Sequence, residues 1–121
     1  MEKVRDMDKD TRSKVKQLAR QIKNNPGDSF SKFALALEFR KQGEYKNARI
    51  LFEDIRDKDP DYVGVYYHLG KLYEMFDRLP EAKKMYEQGI PIADFLNKKR
   101  TESELREALH NVEIEMDQQA P

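Results

Sequence analysis

Set against itself at an offset of 34 residues, the chain pairs Pro26 with Pro60, Leu35 with Leu69, Ala36 with Gly70, Phe39 with Tyr73, Ala48 with Ala82 and Phe52 with Tyr86. A fixed period of this length constrains the fold more than any local propensity does. Each copy is one supersecondary unit that cannot bury its apolar side alone, so the copies must stack on neighbours. The small and aromatic positions recur together for a packing reason. Ala36, Gly70, Ala48 and Ala82 let paired helices approach closely, and Phe39, Tyr73, Phe52 and Tyr86 fill the space between them.

Breakers and periodicity place the elements. Gln42-Gly43-Glu44 and Phe76-Asp77-Arg78 fall where each copy must turn, and Pro80 suits the first turn of a helix. The pattern predicts helices over 29–41, 45–57, 62–75 and 80–97, with a bend or early fraying at Pro91, which lacks one backbone donor. Before the copies, Val15, Leu18 and Ile22 form a helical stripe that ends at "NNPG", and Leu18 lies one period before Phe52. Residues 8–25 therefore read as a flanking helix like the second half of a missing copy. After them, Thr101-Glu102-Ser103-Glu104 has capping-box spacing, and Leu105, Leu109, Val112 and Met116 form a stripe. Residues 101–117 read as a terminal capping helix with a solvated acidic outer face.

The second copy carries Tyr66, Leu69-Gly70, Tyr73, Ala82 and Tyr86, with Asp94 where a closing proline is usual; the first carries Lys32, Leu35-Ala36, Phe39, Ala48, Phe52 and Pro60. In this spacing the chain resembles the tetratricopeptide repeat family, with repeats at 27–60 and 61–94. Lys32 departs from the pattern, which prefers a large aromatic there. The resemblance implies an all-α fold, a right-handed superhelix of antiparallel helix hairpins, here of two repeats between flanking helices. It further implies a concave groove lined by the first helix of each repeat. On this sequence the groove positions include Phe30, Phe33, Leu37, Arg40 and Lys41, then Tyr67, His68, Lys71, Glu74 and Met75.

Helical geometry supports part of that set. At about 100° per residue, Phe30, Phe33, Ala34 and Leu37 share one side of their helix, with Leu35 and Phe39 nearly opposite. A helix apolar on both sides needs a second cover: the amino-terminal helix, a second subunit or a ligand. Some relatives of this family grip the carboxylate tails of chaperones with Lys, Asn and Arg. Phe33 and Leu37 stand where the first Lys and Asn of that clamp would be, and His68 replaces a later Asn, so an apolar partner segment fits better.

Lys plus Arg and Asp plus Glu are equal at 23 each, which argues against a nucleic-acid binder. The ends nevertheless differ in sign, with eight basic against four acidic residues in 1–24 and one against six in 101–121. No apolar run has the ~20 residues needed to span a membrane. There is no cysteine. The opening residues lack the apolar core of a signal peptide, so a cytoplasmic protein is expected. His68 and His110 are far apart, and the glycines do not form a phosphate loop, so no metal, cofactor or catalytic site is expected. The expected function is non-catalytic binding of a protein or peptide through the groove. The alternative is a structural module that forms a homo-oligomer through the same apolar face.

Overall fold

The computed structural model describes residues 7–121, and among them six helices: α1 (Lys9–Asn24), α2 (Ser29–Lys41), α3 (Tyr45–Lys58), α4 (Gly64–Met75), α5 (Leu79–Phe95) and α6 (Lys99–Gln119). The described chain divides between Asp59 and Pro60 into two compact units.

In the first unit α1 packs on α2 and α2 on α3. Asp8 caps α1 by accepting from the Thr11 amide at 2.7 Å, and Asp28 caps α2 through the Ser31 amide at 3.0 Å. Each bond satisfies one of the free donors at a helix start. The Thr11 amide holds the Asp8 carboxyl below the usual carboxylate range, and the Ser31 hydroxyl first, with the Ser31 amide second, does the same for Asp28. Val15 and Leu18 of α1 are buried together with Leu35, Ala36, Phe39, Ala48, Phe52 and Ile55. The residues that cap the carboxyl ends of α1 and α3, Asn25 and Asp59, both take φ −141°. These two residues are one period apart and each precedes a proline.

The second unit is α4, α5 and α6, with α5 packed on both others and α4 also touching α6. Leu69, Gly70, Tyr73, Ala82 and Tyr86 are buried, as their counterparts one period earlier are. At Gly70 the approach is so close that a Cβ would lie 2.2 Å from Cε1 of Tyr86. A second close crossing was not singled out from sequence: a Cβ on Gly89 would lie 2.8 Å from Cβ of Tyr66 and 2.9 Å from Cδ1 of Leu105. Gly89 is thus where α4, α5 and α6 converge.

Three turns share one geometry. Gly43, Asp77 and Asn97 take left-handed φ of 80°, 57° and 56°. The residue after each donates its amide to a carbonyl five back, Glu44 to Phe39, Arg78 to Tyr73 and Lys98 to Ala93, all at 2.8 Å. This is the bonding of a Schellman helix end. The third turn corrects two expectations. Helix α5 runs through Pro91 and stops at Phe95, two residues short of 97. Helix α6 then begins at Lys99 with Lys98 as its cap and no side-chain bond there. Thr101 and Glu104 lie inside the helix instead of forming a capping box, because the turn at Asn97 sets the start of α6 first.

The buried stripe of α6 is Leu105, Ala108 and Val112, while Leu109 and Met116 are only half-buried. Hydropathy selects Leu109, whereas the packing against α5 selects its smaller neighbour.

Lys32 also differs from expectation. It is only 5% exposed, and its Nζ lies 2.8 Å from Oδ2 of Asp54 on α3. Asp54 pairs on its other oxygen with Lys58 at 2.7 Å. The hydrogen bond from Lys32, then that from Lys58, holds the Asp54 carboxyl below its usual range. In the second repeat the same position is Tyr66, whose hydroxyl donates to the Pro60 carbonyl at 2.6 Å. Both repeats bury a long side chain here and tie down its polar tip.

Candidate interaction surfaces

On the first unit, α2 carries five of the residues singled out from sequence. Phe30 is 73% exposed, so α1 does not cover it. Phe33 is half-buried and its ring meets that of Phe52 edge-on, with centroids 5.5 Å apart. It therefore contributes to the α2–α3 packing as well as to the surface. Leu37 is half-buried, and Arg40 and Lys41 are exposed near the helix end. Glu38, beside them in sequence, pairs with Lys14 of α1 at 2.8 Å.

On the second unit, α4 carries the other five. Met75 is 56% exposed at the end of the helix. Tyr67, His68, Lys71 and Glu74 are half-buried. The rings of Tyr67 and His68 meet edge-on at 5.7 Å. Lys71 Nζ lies 5.6 Å from the centre of the Tyr67 ring, a cation–π distance, and 3.6 Å from Glu74 Oε2. That carboxylate also accepts the hydroxyl of buried Tyr86. Burial first, and the Glu74 carboxylate second, push the Tyr86 hydroxyl pKa well above that of a free tyrosine. Glu74 is therefore as much a support for the core as a surface group.

Tyr67 and Lys71 are brought together with α6. A cavity of about 110 Å³ lies between α4 and α6, lined by Tyr67, Lys71, Glu104, Glu107, Ala108 and Asn111. The four α6 residues were not legible as site residues, because the sequence assigns that helix an acidic face turned to solvent. The signal that could have found them is the spacing 104, 107, 108, 111, which is one helical stripe adjoining the buried one. Glu104 pairs with Arg100 at 3.2 Å, and Arg106 pairs with Glu102 at 2.9 Å. Among the described residues no group of three or more His, Asp and Glu side chains is placed to hold a metal ion. No described helix is long and apolar enough to cross a membrane.

The helices and their turns define an all-α helical-repeat protein. The family model for the tetratricopeptide repeat matches residues 39–95. A tetratricopeptide repeat domain protein from Salinibacter ruber is 45% identical; its crystal structure aligns with a TM-score of 0.70 over 71% of this chain and 97% of that one. The solution NMR structure of a tetratricopeptide repeat domain protein from the same organism aligns at 0.69, over 74% and 90%, again at 45% identity. The TPR2B domain of yeast Sti1, solved in a complex with pHsp70, aligns at 0.76 with 17% identity over 84% of this chain and 81% of that one. No curated protein matches the sequence. The chain belongs to the tetratricopeptide repeat family, whose repeats generally mediate protein–protein interaction without catalysis.

Proposed function

We propose that this protein binds a protein or peptide segment through the exposed faces of the first helices of its repeats, α2 and α4. The observation that carries the reading is Phe30, a large aromatic left 73% exposed on a helix whose opposite side is already buried in the first unit. Met75, 56% exposed on α4, supports it. Phe30, Phe33, Leu37, Tyr67 and Met75 supply apolar contact, and Arg40, Lys41, His68, Lys71 and Glu74 set polarity and register. Buried aromatic anchors supply most of the affinity of such interfaces, and the polar rim supplies specificity. The yeast Sti1 domain, solved with pHsp70, is a precedent for a partner of this class. A cytoplasmic setting and the absence of nucleic-acid or membrane partners belong to the same reading.

The test begins with peptides selected on the wild-type chain from a random display library. Their affinity is then measured for Phe30→Ala/Met75→Ala, with circular dichroism confirming the fold. A loss of about tenfold or more is expected. Unchanged affinity for a folded variant overturns the reading.

The opposite charges of residues 1–24 and 101–121 favour a second reading, in which copies of the chain associate. A particle size in solution that falls as salt is added supports it, and a monomer at low salt removes it.

A further inference from the structure

We propose that the cavity between α4 and α6 receives the basic side chain of a partner segment, a guanidinium or ammonium group. The proposal rests on the binding function above and gives the partner a chemistry. Size is the first argument: about 110 Å³ accommodates the end of one side chain, not a drug-sized ligand. The lining is the second. Glu104 and Glu107 on α6 face Tyr67 on α4, with the amide of Asn111 beside them. Carboxylates offer charge-assisted acceptors, and a planar guanidinium can take the place of Lys71 at the tyrosine ring.

Lys71 also lines the cavity, yet its charge is already shared between Glu74 and the Tyr67 ring. Glu104 in turn is shared with Arg100 at 3.2 Å, which leaves Glu107 as the excess negative charge of the lining. The helix around it has the same sign, since α6 holds six carboxylates against Lys99, Arg100 and Arg106, the two arginines pairing with Glu104 and Glu102. Such a field draws basic segments toward the cavity and repels acidic ones. A terminal carboxylate, the ligand suggested by clamp-bearing members of the family, would meet Glu104 and Glu107.

The test uses isotope-labelled full chain and a blocked heptapeptide of alanine and glycine with one central arginine. Two control peptides carry citrulline or glutamate in place of arginine. The expected result is amide shifts centred on Tyr67, Lys71, Glu107 and Asn111. Binding should be weaker by about fivefold or more for citrulline, for glutamate and for Glu107→Gln, and unchanged in Glu115→Gln. Equal binding of citrulline overturns the proposal, as do shifts centred on Glu113–Asp117 or no shift up to millimolar peptide. Because Phe30 and Met75 do not line this cavity, a failure here with intact loss of binding in Phe30→Ala/Met75→Ala refutes the basic ligand and leaves the wider function standing.

Discussion

Gly70 and the ring of Tyr86 are in such close contact that no side chain fits between them: a Cβ on Gly70 would lie 2.2 Å from Cε1 and 2.6 Å from Cζ of the ring. Tyr86 is fully buried and its hydroxyl is tied to Glu74, so the ring cannot swing away cheaply. Gly70→Ala is expected to lower stability by about 1–3 kcal/mol through overpacking, and Gly70→Leu by more. Chemical denaturation checks this, and a wild-type midpoint would show that α4 and α5 can separate freely.

The Tyr86 hydroxyl also predicts an alkaline dependence. Its folded-state pKa is raised, by burial first, while in the unfolded chain it ionises near the ordinary value of about 10. The native state therefore holds this proton at pH values where the unfolded state releases it. The stabilisation is complete below about pH 10 and is lost as pH rises above it. Tyr86→Phe should flatten the fall in melting temperature between pH 9 and 11, as measured beside wild type by calorimetry (about these limits for a phenol). An identical slope in both proteins would contradict the assignment.

Lys32 makes a prediction opposite to the one its sequence position invites. Restoring an aromatic by Lys32→Tyr would suit the repeat pattern, but it removes the 2.8 Å contact with Asp54. Asp54 keeps Lys58, so the expected cost is on the order of 1 kcal/mol for Lys32→Tyr and for Lys32→Met. The acid limb should change as well. The depressed carboxyl contributes stability that is present above its unfolded value, near 3.9, and is lost as pH falls through the lower folded value. Both variants should show a shallower loss of stability with falling pH in that window; a steeper one would count against the ion pair.

Deleting α6 after Lys98 strips Leu105, Ala108 and Val112 from the side of α5 that they cover. The truncated chain is expected to melt at lower temperature and to aggregate, read by circular dichroism and light scattering. A soluble truncation of undiminished melting temperature would make α6 a dispensable appendage.

The helices of the two repeats were legible in the sequence because period and punctuation agree there: Pro26 and Pro60 end the preceding helices, and Gly43 marks a left-handed turn by its residue type. Asn97 gives a weaker sign of the same turn, so the apolar pattern alone carries the helix past it. Lys32 looked anomalous because its partner Asp54 lies on the facing helix, beyond any local pattern. For the candidate site, Tyr67 and Lys71 could be named from the repeat, but Glu104, Glu107 and Asn111 could not. Their place depends on the rotation of α6 about its axis, which small Ala108 and the bare backbone at Gly89 help to set, not the larger Leu109.

The contact between α4 and α6 makes the second unit a closed ring of three helices, whereas α1 in the first unit rests chiefly on its chain neighbour α2. A helix held from one side can detach while the rest stays folded; a closed ring has no free end at which to begin. Amide hydrogen exchange should accordingly report α1 opening early and by itself, with α4, α5 and α6 surrendering their slowest protons together.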